Sequence, residues 1–247
     1  MHQLAKEISN QQEISVYEAN QLYGEIGKYR FLQFADNAVQ GAIDLRDPKR
    51  IVLEYPRAIV HLMESNDPSF NKVFVIGHGI GTIAGHYPDK NFIVAEVDEK
   101  VVELSRTFFN YNKDNVVIGD GRAILEKEES DTLDYIILDA FTKEGTPLHL
   151  TTMEFFEITK EKLKARGSII LNLMGKTSND RLINAIHSTL SETYPHTKAF
   201  VLPGEHAFEI QNMIVMGSNK GIEFTAQAMA GFVEFELAQG HLIRDHK

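Results

Sequence analysis

The segment from Val73 to Asp98 places glycines and a carboxylate at the spacing of a nucleotide-binding unit. An apolar run ends in GHGIGT, which begins at Gly77, and a second apolar run ends in Glu96, 19 positions later. This order predicts a strand, a tight turn, a helix and a second strand that ends in an acid. Glycines let a backbone approach a ligand closely, and the acid can accept hydrogen bonds from ribose hydroxyls. We therefore expect a ligand that contains adenosine.

The glycine spacing favours a mononucleoside over a dinucleotide. NAD-binding turns usually follow the pattern G-x-G-x-x-G, whereas Gly77, Gly79 and Gly81 alternate with other residues. A nicotinamide-dependent oxidoreductase is therefore a less favoured alternative. A glycine turn with only a structural role is another alternative, but it does not account for the acid at Glu96 after the next strand.

Further acids follow predicted parallel strands. Glu96, Asp120 and Asp139 each stand at or just after such a strand, which is the edge where open α/β sheets bind ligands. Asp120 precedes Gly121, so a turn or helix-cap role is an alternative for it. Asp98 is expected to cap the helix that follows it.

The loop after Asp139 leads to a helix that begins near Thr152. Such a loop can close over a bound substrate. His149 lies in it and could act as a base or contact the substrate. The alternative is that His149 makes only a local hydrogen bond.

Composition excludes several classes of function. The chain has 247 residues, a net charge of −10 and no cysteine, which excludes disulfides, thiol nucleophiles and cysteine-bound zinc. The negative charge argues against nucleic acid as a partner, and no apolar run reaches the about 18 residues of a membrane span. His241 and His246 lack metal-ligand spacing, so we expect no metal. A cytoplasmic location is expected.

Alternating apolar runs and helical patterns predict an α/β fold with a doubly wound, mostly parallel, Rossmann-like sheet. We expect residues 1–65 to form a small N-terminal β-element and a connecting helix, and residues 66–247 to form the Rossmann-like domain. The predicted strands are Ile14–Tyr17, Tyr29–Phe34, Ala38–Leu45, Val73–Ile76, Phe92–Val97, Val116–Ile118, Tyr135–Leu138 and Ser168–Leu173, with Lys198–Leu202 and Asn212–Met216 as an antiparallel edge.

Helical periodicity is found in several segments between and after these strands. The predicted helices are Arg50–Met63, Asp98–Asn110, Thr152–Leu163, Asp180–Leu190 and Ala226–Leu237. Thr151 or Thr152 is expected to cap the third of these helices, and Ser178 or Asn179 the fourth.

Several segments, taken in order, resemble those of the spermidine-synthase-like group of class I S-adenosylmethionine-type transferases. They are VYEANQLYGEIGKYRFLQFADNAVQGAIDLRDP, EYPRAIVHLM, VFVIGHGIGT, AEVDEKVVELSR, IGDGRAIL, YIILDAF, TPLHLTTMEFF and SIILNLMG. The resemblance extends from about Val16 to Met216. It implies a class I methyltransferase-like Rossmann domain after a β-rich element, a homodimer, and either S-adenosylmethionine or its decarboxylated form as the co-substrate.

The resemblance also implies roles for individual residues. The three glycines would approach the amino-acid tail of the donor, Glu96 would hold the ribose, and Asp120 would contact the adenine amino group. Asp139 would be the catalytic residue that faces the amine of a small-molecule acceptor. The implied cofactor-binding residues are Gly77, Gly79, Gly81, Glu96, Asp120 and Gly121, and the implied substrate-binding residues are Gln40, Tyr55 and His149.

The chain departs from the family pattern at acids that would bind ammonium groups. Ile80 replaces the acid of the glycine loop, Thr142 replaces the second acid of a D-x-x-D pair, and Pro56-Arg57 replaces His-Glu after Tyr55. We therefore expect transfer of an aminopropyl or methyl group to an amine, but not a standard spermidine synthase. The alternative is a non-catalytic relative that binds the nucleotide.

Overall fold

The computed structural model describes residues 1–9, 12–34, 39–142, 145–204, 206 and 209–245. An antiparallel sheet at the N-terminus has the strand order β1-β2-β3-β4. Its strands are β1 His2–Ser9, β2 Gln12–Leu22, β3 Glu25–Phe34 and β4 Val39–Asp44. Strand β1 was not predicted, because most of its side chains are polar, and it is held at the sheet edge by pairing with β2. Ala38, the first residue of one predicted strand, lies outside the described residues.

The larger sheet has the strand order β12-β10-β11-β9-β8-β5-β6-β7. Neighbours from β9 to β7 are parallel, whereas β11, β10 and β12 are antiparallel. The strands are β5 Lys72–Ile76, β6 Asn91–Glu96, β7 Val116–Ile118, β8 Leu133–Leu138, β9 Leu163–Gly175, β10 His196–Val201, β11 Gln211–Ser218 and β12 Val233–Phe235. The predicted mostly parallel Rossmann-like fold is confirmed.

The chain reverses its direction of sheet growth beside β5. It passes from β5 outward to β6 and β7, and then returns to place β8 on the other side of β5. A doubly wound sheet binds its ligands at such a switch point, outside the carboxyl ends of the strands. This topology predicts a binding site at the loops after β5 and β8.

Helices cover both faces of the sheet. They are α1 Glu54–Asn66, α2 Thr82–His86, α3 Glu99–Phe108, α4 Gly121–Leu125, α5 Met153–Lys162 and α6 Arg181–Thr193. Helix α1 starts four residues later than predicted, because Ile51 still bridges to Ile43 and Leu53 is extended at the N-cap. Within the described residues, no helix is both long and apolar enough to span a membrane.

The cap predictions were right for two helices and wrong for one. Asp98 accepts a hydrogen bond from Lys100 N and caps α3, and Thr152 caps α5. Helix α6 is capped by Asp180, not by Ser178 or Asn179. Asn179 has a φ of 55°, a left-handed backbone conformation that cannot serve as the usual extended N-cap.

The prediction of a helix over Ala226–Leu237 was wrong. This segment contains a short 3₁₀ turn at Ala226–Ala228 and then β12, which pairs with β10 and so forms the true sheet edge. Ala230 and Gly231 have positive φ angles, which end the helical turn. The apolar residues on either side, Met229 and Phe232, are buried in the core, so the periodicity reflected burial and not a helix.

Candidate active site at the carboxyl edge of the parallel sheet

A cavity of about 500 Å³ lies where the N-terminal sheet covers the carboxyl ends of β5, β6, β7 and β8. Its lining includes Gln40, Tyr55, Gly77, Gly79, Glu96, Asp120, Gly121, Asp139 and His149. Gly81, the remaining predicted site residue, lines a much smaller cavity of about 20 Å³ that shares Gly77 and Asp139 with the large one. The structure therefore places all the predicted residues except Gly81 around one cavity.

The glycine loop after β5 requires glycine at two points. Gly77 has a φ of +99°, and a Cβ atom there would lie 2.0 Å from the backbone oxygen of Asp139. Gly81 has a φ of +80°, and a Cβ atom there would lie 2.2 Å from the ring of Tyr111. Such left-handed conformations and close approaches exclude a side chain. The loop is consequently packed against the end of β8, the strand that carries Asp139.

Sheet hydrogen bonds continue into these loops and fix their relative positions. Asp139 N donates to Ile76 O, and Gly77 N donates to Ala95 O, each at 2.8 Å. Gly119 N donates to Glu96 O at 2.8 Å in the same way. The strands thus fix the positions of the glycine loop, Glu96 and Asp139 relative to one another.

Glu96 is held by backbone N–H groups on both carboxylate oxygens. His78 N donates to Oε2 at 2.8 Å, and Asp98 N donates to Oε1 at 2.9 Å. Burial raises the pKa of Glu96, and these backbone hydrogen bonds oppose the increase. Each carboxylate oxygen can accept a further hydrogen bond, so Glu96 can also accept the hydroxyls of a ribose.

Replacing Glu96 by glutamine is expected to weaken donor binding about ten- to hundredfold, which corresponds to the roughly 1.5–3 kcal/mol of a hydrogen bond to a charged group. Titration calorimetry with each form of S-adenosylmethionine measures the loss. Glu99→Gln is the control, because Glu99 is exposed three residues further along the chain and does not line the cavity. Equal affinities for the two variants would remove Glu96 from the donor site.

Asp120 has the helix-cap role that the sequence offered as one alternative, and its contact with adenine stays a prediction. Its Oδ1 accepts Ala123 N at 2.9 Å and caps α4, and its Oδ2 lies 2.8 Å from His149 Nε2. Burial acts against the charge, but the hydrogen bonds from Ala123 and His149 outweigh it and lower the pKa of Asp120. His149 therefore lies with Asp120 and Gly121, at the end of the cavity predicted for adenine. Its predicted contact with the acceptor stays a prediction.

Asp139 lies at the other end of this row of acids, beside polar side chains from the neighbouring strand β9 and from helix α1. Asn172 Nδ2 donates to Asp139 Oδ1 at 2.7 Å, and Tyr55 makes a second hydrogen bond to the carboxylate. Asn172 is 2% exposed and its Oδ1 accepts Asn212 Nδ2 at 2.6 Å. Burial raises the pKa of Asp139, and its hydrogen bonds to Asn172 and Tyr55 oppose the increase. A carboxylate so placed is oriented and only partly solvated.

Sequence reasoning missed Asn172, Asn212 and His78. The first two interrupt the apolar strands SIILNLMG and QNMIVMGS, and an amide inside an otherwise apolar strand is the signal that could have revealed them. His78 is buried within the glycine loop, where its Nε2 lies 2.8 Å from Ser105 Oγ. Burial lowers the pKa of His78 to about 4, so its imidazole is neutral near pH 7.

The apolar residue in the glycine loop contacts the N-terminal sheet. Ile80 is 5% exposed and packs in a cluster that includes Ile14, Val16 and Leu32. A Cβ atom on Gly41 of β4 would lie 2.6 Å from the Ile80 side chain. The surroundings of position 80 are consequently suited to an apolar side chain and would leave a carboxylate poorly solvated. No group of three or more metal-binding side chains is found within the described ranges.

Comparison with known proteins agrees with this geometry. Residues 52–226 match the spermine/spermidine synthase domain. The chain belongs to this family. A polyamine aminopropyltransferase of Vibrio vulnificus is 24% identical and is matched over 89% of this chain and 79% of its own length. Putrescine N-methyltransferase 2 of Nicotiana attenuata is 34% identical in the matched region. That region covers 47% of this chain and 34% of the length of the relative.

The fold of this spermidine synthase family member is also found in a solved structure. A probable spermidine synthase from Corynebacterium glutamicum aligns with a TM-score of 0.84 and 20% identity, over 98% of this chain and 96% of that one. The prediction that the chain is an enzyme, an S-adenosylmethionine-type alkyl transferase, is confirmed by the family and by these relatives.

Proposed function

We propose that the protein transfers an aminopropyl or methyl group from decarboxylated or intact S-adenosylmethionine to the nitrogen of a small amine. The observation that carries this proposal is one cavity that contains the glycine loop, Glu96 and Asp120 along one side and Asp139 beside Tyr55 at its other end. The first group can hold a nucleoside donor, and Asp139 can face an acceptor. Both activities occur among the relatives, as an aminopropyltransferase and an N-methyltransferase.

The reaction is a displacement at carbon. The nitrogen lone pair attacks the carbon bound to the sulfonium, a C–N bond forms, and the C–S bond breaks with its electron pair left on a neutral thioether. An alkyl amine has a solution pKa of about 10, so it is protonated near pH 7 and must lose that proton before it attacks. Asp139 accepts or orients that proton, while Asn172 and Tyr55 hold the carboxylate in place. The rest of the rate increase comes from positioning the two reactants.

The identity of the donor depends on the glycine loop. Without an acid at Ile80, the ammonium of a decarboxylated donor loses a hydrogen bond worth roughly 1.5–3 kcal/mol. The carboxylate of intact S-adenosylmethionine, in contrast, is not repelled by a negatively charged side chain at position 80. Titration calorimetry with each donor, followed by identification of the nucleoside product, tests both. Methylthioadenosine indicates aminopropyl transfer and S-adenosylhomocysteine indicates methyl transfer, whereas binding of neither donor contradicts the proposal.

The alternative of a family member that binds the nucleotide without catalysis is disfavoured, because the relatives are transferases. The support for it is that Ile80, Thr142 and Pro56 differ from the residues that the family resemblance implies at these positions. Donor binding without transfer to any amine would support this candidate. The homodimer, the cytoplasmic location and the domain boundary at residue 65 also stay predictions.

A further inference from the structure

The imidazole of His78 is held between the glycine loop and the segment of α3. His78 is 7% exposed, and its ring packs edge-on against Tyr111 with 4.6 Å between the ring centroids. Its Nε2 lies 2.8 Å from Ser105 Oγ, and Ser105 Oγ in turn donates its hydrogen to Val102 O at 2.8 Å. Helix α3 and the residue that packs on the ring therefore fix the orientation of this side chain.

These two hydrogen bonds determine which ring nitrogen of His78 carries the proton. A serine hydroxyl has one hydrogen, and that of Ser105 is donated to Val102 O, so His78 Nε2 is the donor to Ser105 Oγ. Burial lowers the pKa of His78 to about 4, so near pH 7 the ring is neutral and has a single N–H group. The Nδ1 atom is consequently an acceptor. It is buried and has no hydrogen-bond partner among the described residues, which is a costly state for a polar atom.

The small cavity beside the glycine loop is suited to a cationic group. Gln40, Tyr55, Gly77, His78 and Asp139 line both this cavity of about 20 Å³ and the large one, so the two spaces adjoin. A space of about 10–15 Å³ is enough for one water molecule, and an ammonium group is of similar size. The carboxylate of Asp139 and the unprotonated nitrogen of His78 both favour a group that donates hydrogen bonds. A carboxylate would be repelled by Asp139 in the same space.

Both forms of the donor carry an ammonium group on the same carbon, because decarboxylation removes only the carboxylate from the end of the S-adenosylmethionine tail. We propose that His78 Nδ1 accepts a hydrogen bond from this ammonium group and replaces the acid that is absent at Ile80. The inference rests on the proposed function, because it concerns the donor of that transfer. The neutral imidazole does not repel the carboxylate of the intact donor, so His78 binds the tail of either form.

Two thioethers of adenosine test the proposal in binding. The aminopropyl thioether carries the ammonium group, and the butyl thioether has the same number of heavy atoms with a methyl group in its place. Phenylalanine at position 78 keeps an aromatic ring beside Tyr111 but has no nitrogen. In titration calorimetry, His78→Phe is expected to weaken binding of the aminopropyl form about ten- to hundredfold and that of the butyl form less than about threefold. Equal losses for both thioethers, or a loss for neither, would overturn the proposal.

The matched control variant is His187→Phe. His187 lies on α6 with its Nε2 at 3.2 Å from Thr197 Oγ1, and it is not among the described residues that line either cavity. Its affinities for the two thioethers are expected to equal those of the wild-type protein. A selective loss of the aminopropyl form in this variant as large as that in His78→Phe would contradict a direct contact with His78.

Heteronuclear NMR of the histidine ring nitrogens provides a test on the wild-type protein. The signals of His78 are expected to show a protonated Nε2 and an unprotonated Nδ1 near pH 7. Addition of the aminopropyl thioether should shift the Nδ1 signal, because that atom then accepts a hydrogen bond, and the butyl thioether should leave it nearly unchanged. A protonated Nδ1, or the same shift with both thioethers, would overturn the proposal.

The same measurements distinguish this inference from the proposed function. If the aminopropyl form binds with the expected dependence on His78 but no amine is alkylated, the transferase proposal fails and the inference about His78 holds. If transfer occurs and His78→Phe binds both thioethers as the wild-type protein does, the inference alone fails. If neither thioether binds the wild-type protein, the cavity is not a donor site and both proposals are overturned.

Discussion

Replacing Asp139 by asparagine is expected to reduce turnover by about 10²–10⁴-fold, the range typical of a lost general base. Asparagine keeps the size of the side chain and one oxygen that can accept the hydrogen bond from Asn172 Nδ2. It cannot accept the proton of the amine. Donor affinity is expected to change by less than about threefold, because Asp139 lies at the end of the cavity proposed for the acceptor and a neutral amide leaves no buried charge unpaired.

The matched control for this variant is Asp120→Asn, the same substitution at the end of the same cavity that is proposed for the donor. It removes the carboxylate that lies 2.8 Å from His149 Nε2, so donor affinity is expected to fall more than turnover at saturating donor. Steady-state kinetics and calorimetry on both variants distinguish the two roles. Full turnover with lost donor affinity in Asp139→Asn would contradict the assignment of Asp139.

The pH dependence of kcat/KM carries a second signature of Asp139. Burial raises the pKa of Asp139 above that of an ordinary aspartate. A base must be ionised to accept a proton, so activity should rise with pH through this raised pKa and fall below it. Asp139→Asn should abolish the part of the acidic limb that belongs to Asp139. An unchanged acidic limb would assign it to another group, such as Glu96, whose pKa is also raised by burial.

The part of the site that follows sheet topology was predictable from the sequence. Parallel strands end at one edge, so Gly77, Glu96, Asp120 and Asp139 had to lie near one another once β5 to β8 were assigned. The glycine spacing added the sharp turn that Gly77 makes with its φ of +99°. Local patterns also located Thr152 and Asp98, because a capping side chain acts on backbone N–H groups two or three residues away.

What depends on contacts between distant segments was not predictable. Asn172 and Asn212 are 40 residues apart, and only the antiparallel pairing of β9 with β11 joins them into the chain of hydrogen bonds that ends at Asp139. The prediction of a helix over Ala226–Leu237 was wrong for the same reason. Its apolar spacing is compatible with a helix, but the free edge of β10 offers a strand partner that no local pattern reveals.

Replacing Gly77 by alanine is expected to damage stability and activity together. The left-handed φ of +99° costs an L-residue about 1–3 kcal/mol. The added Cβ would also lie 2.0 Å from Asp139 O, a backbone atom that can retreat only if the end of β8 moves. Overpacking of this kind costs about a further 1–3 kcal/mol. Denaturant unfolding measures the sum, and kinetics measure the displacement of the Asp139 carboxylate.

Gly24→Ala is the control variant, because it has the backbone strain of a left-handed φ without a steric contact of the added Cβ. Gly24 lies in the turn between β2 and β3 with a φ of +83°, and a Cβ atom there would meet nothing within 4 Å. It should therefore show the backbone strain alone and keep normal turnover. If Gly77→Ala lost no more stability than Gly24→Ala and kept its turnover, the loop and the end of β8 would be free to separate. A larger loss in both properties would show that the contact between Gly77 and the Asp139 backbone fixes the glycine loop relative to the Asp139 carboxylate, as the proposed in-line displacement requires.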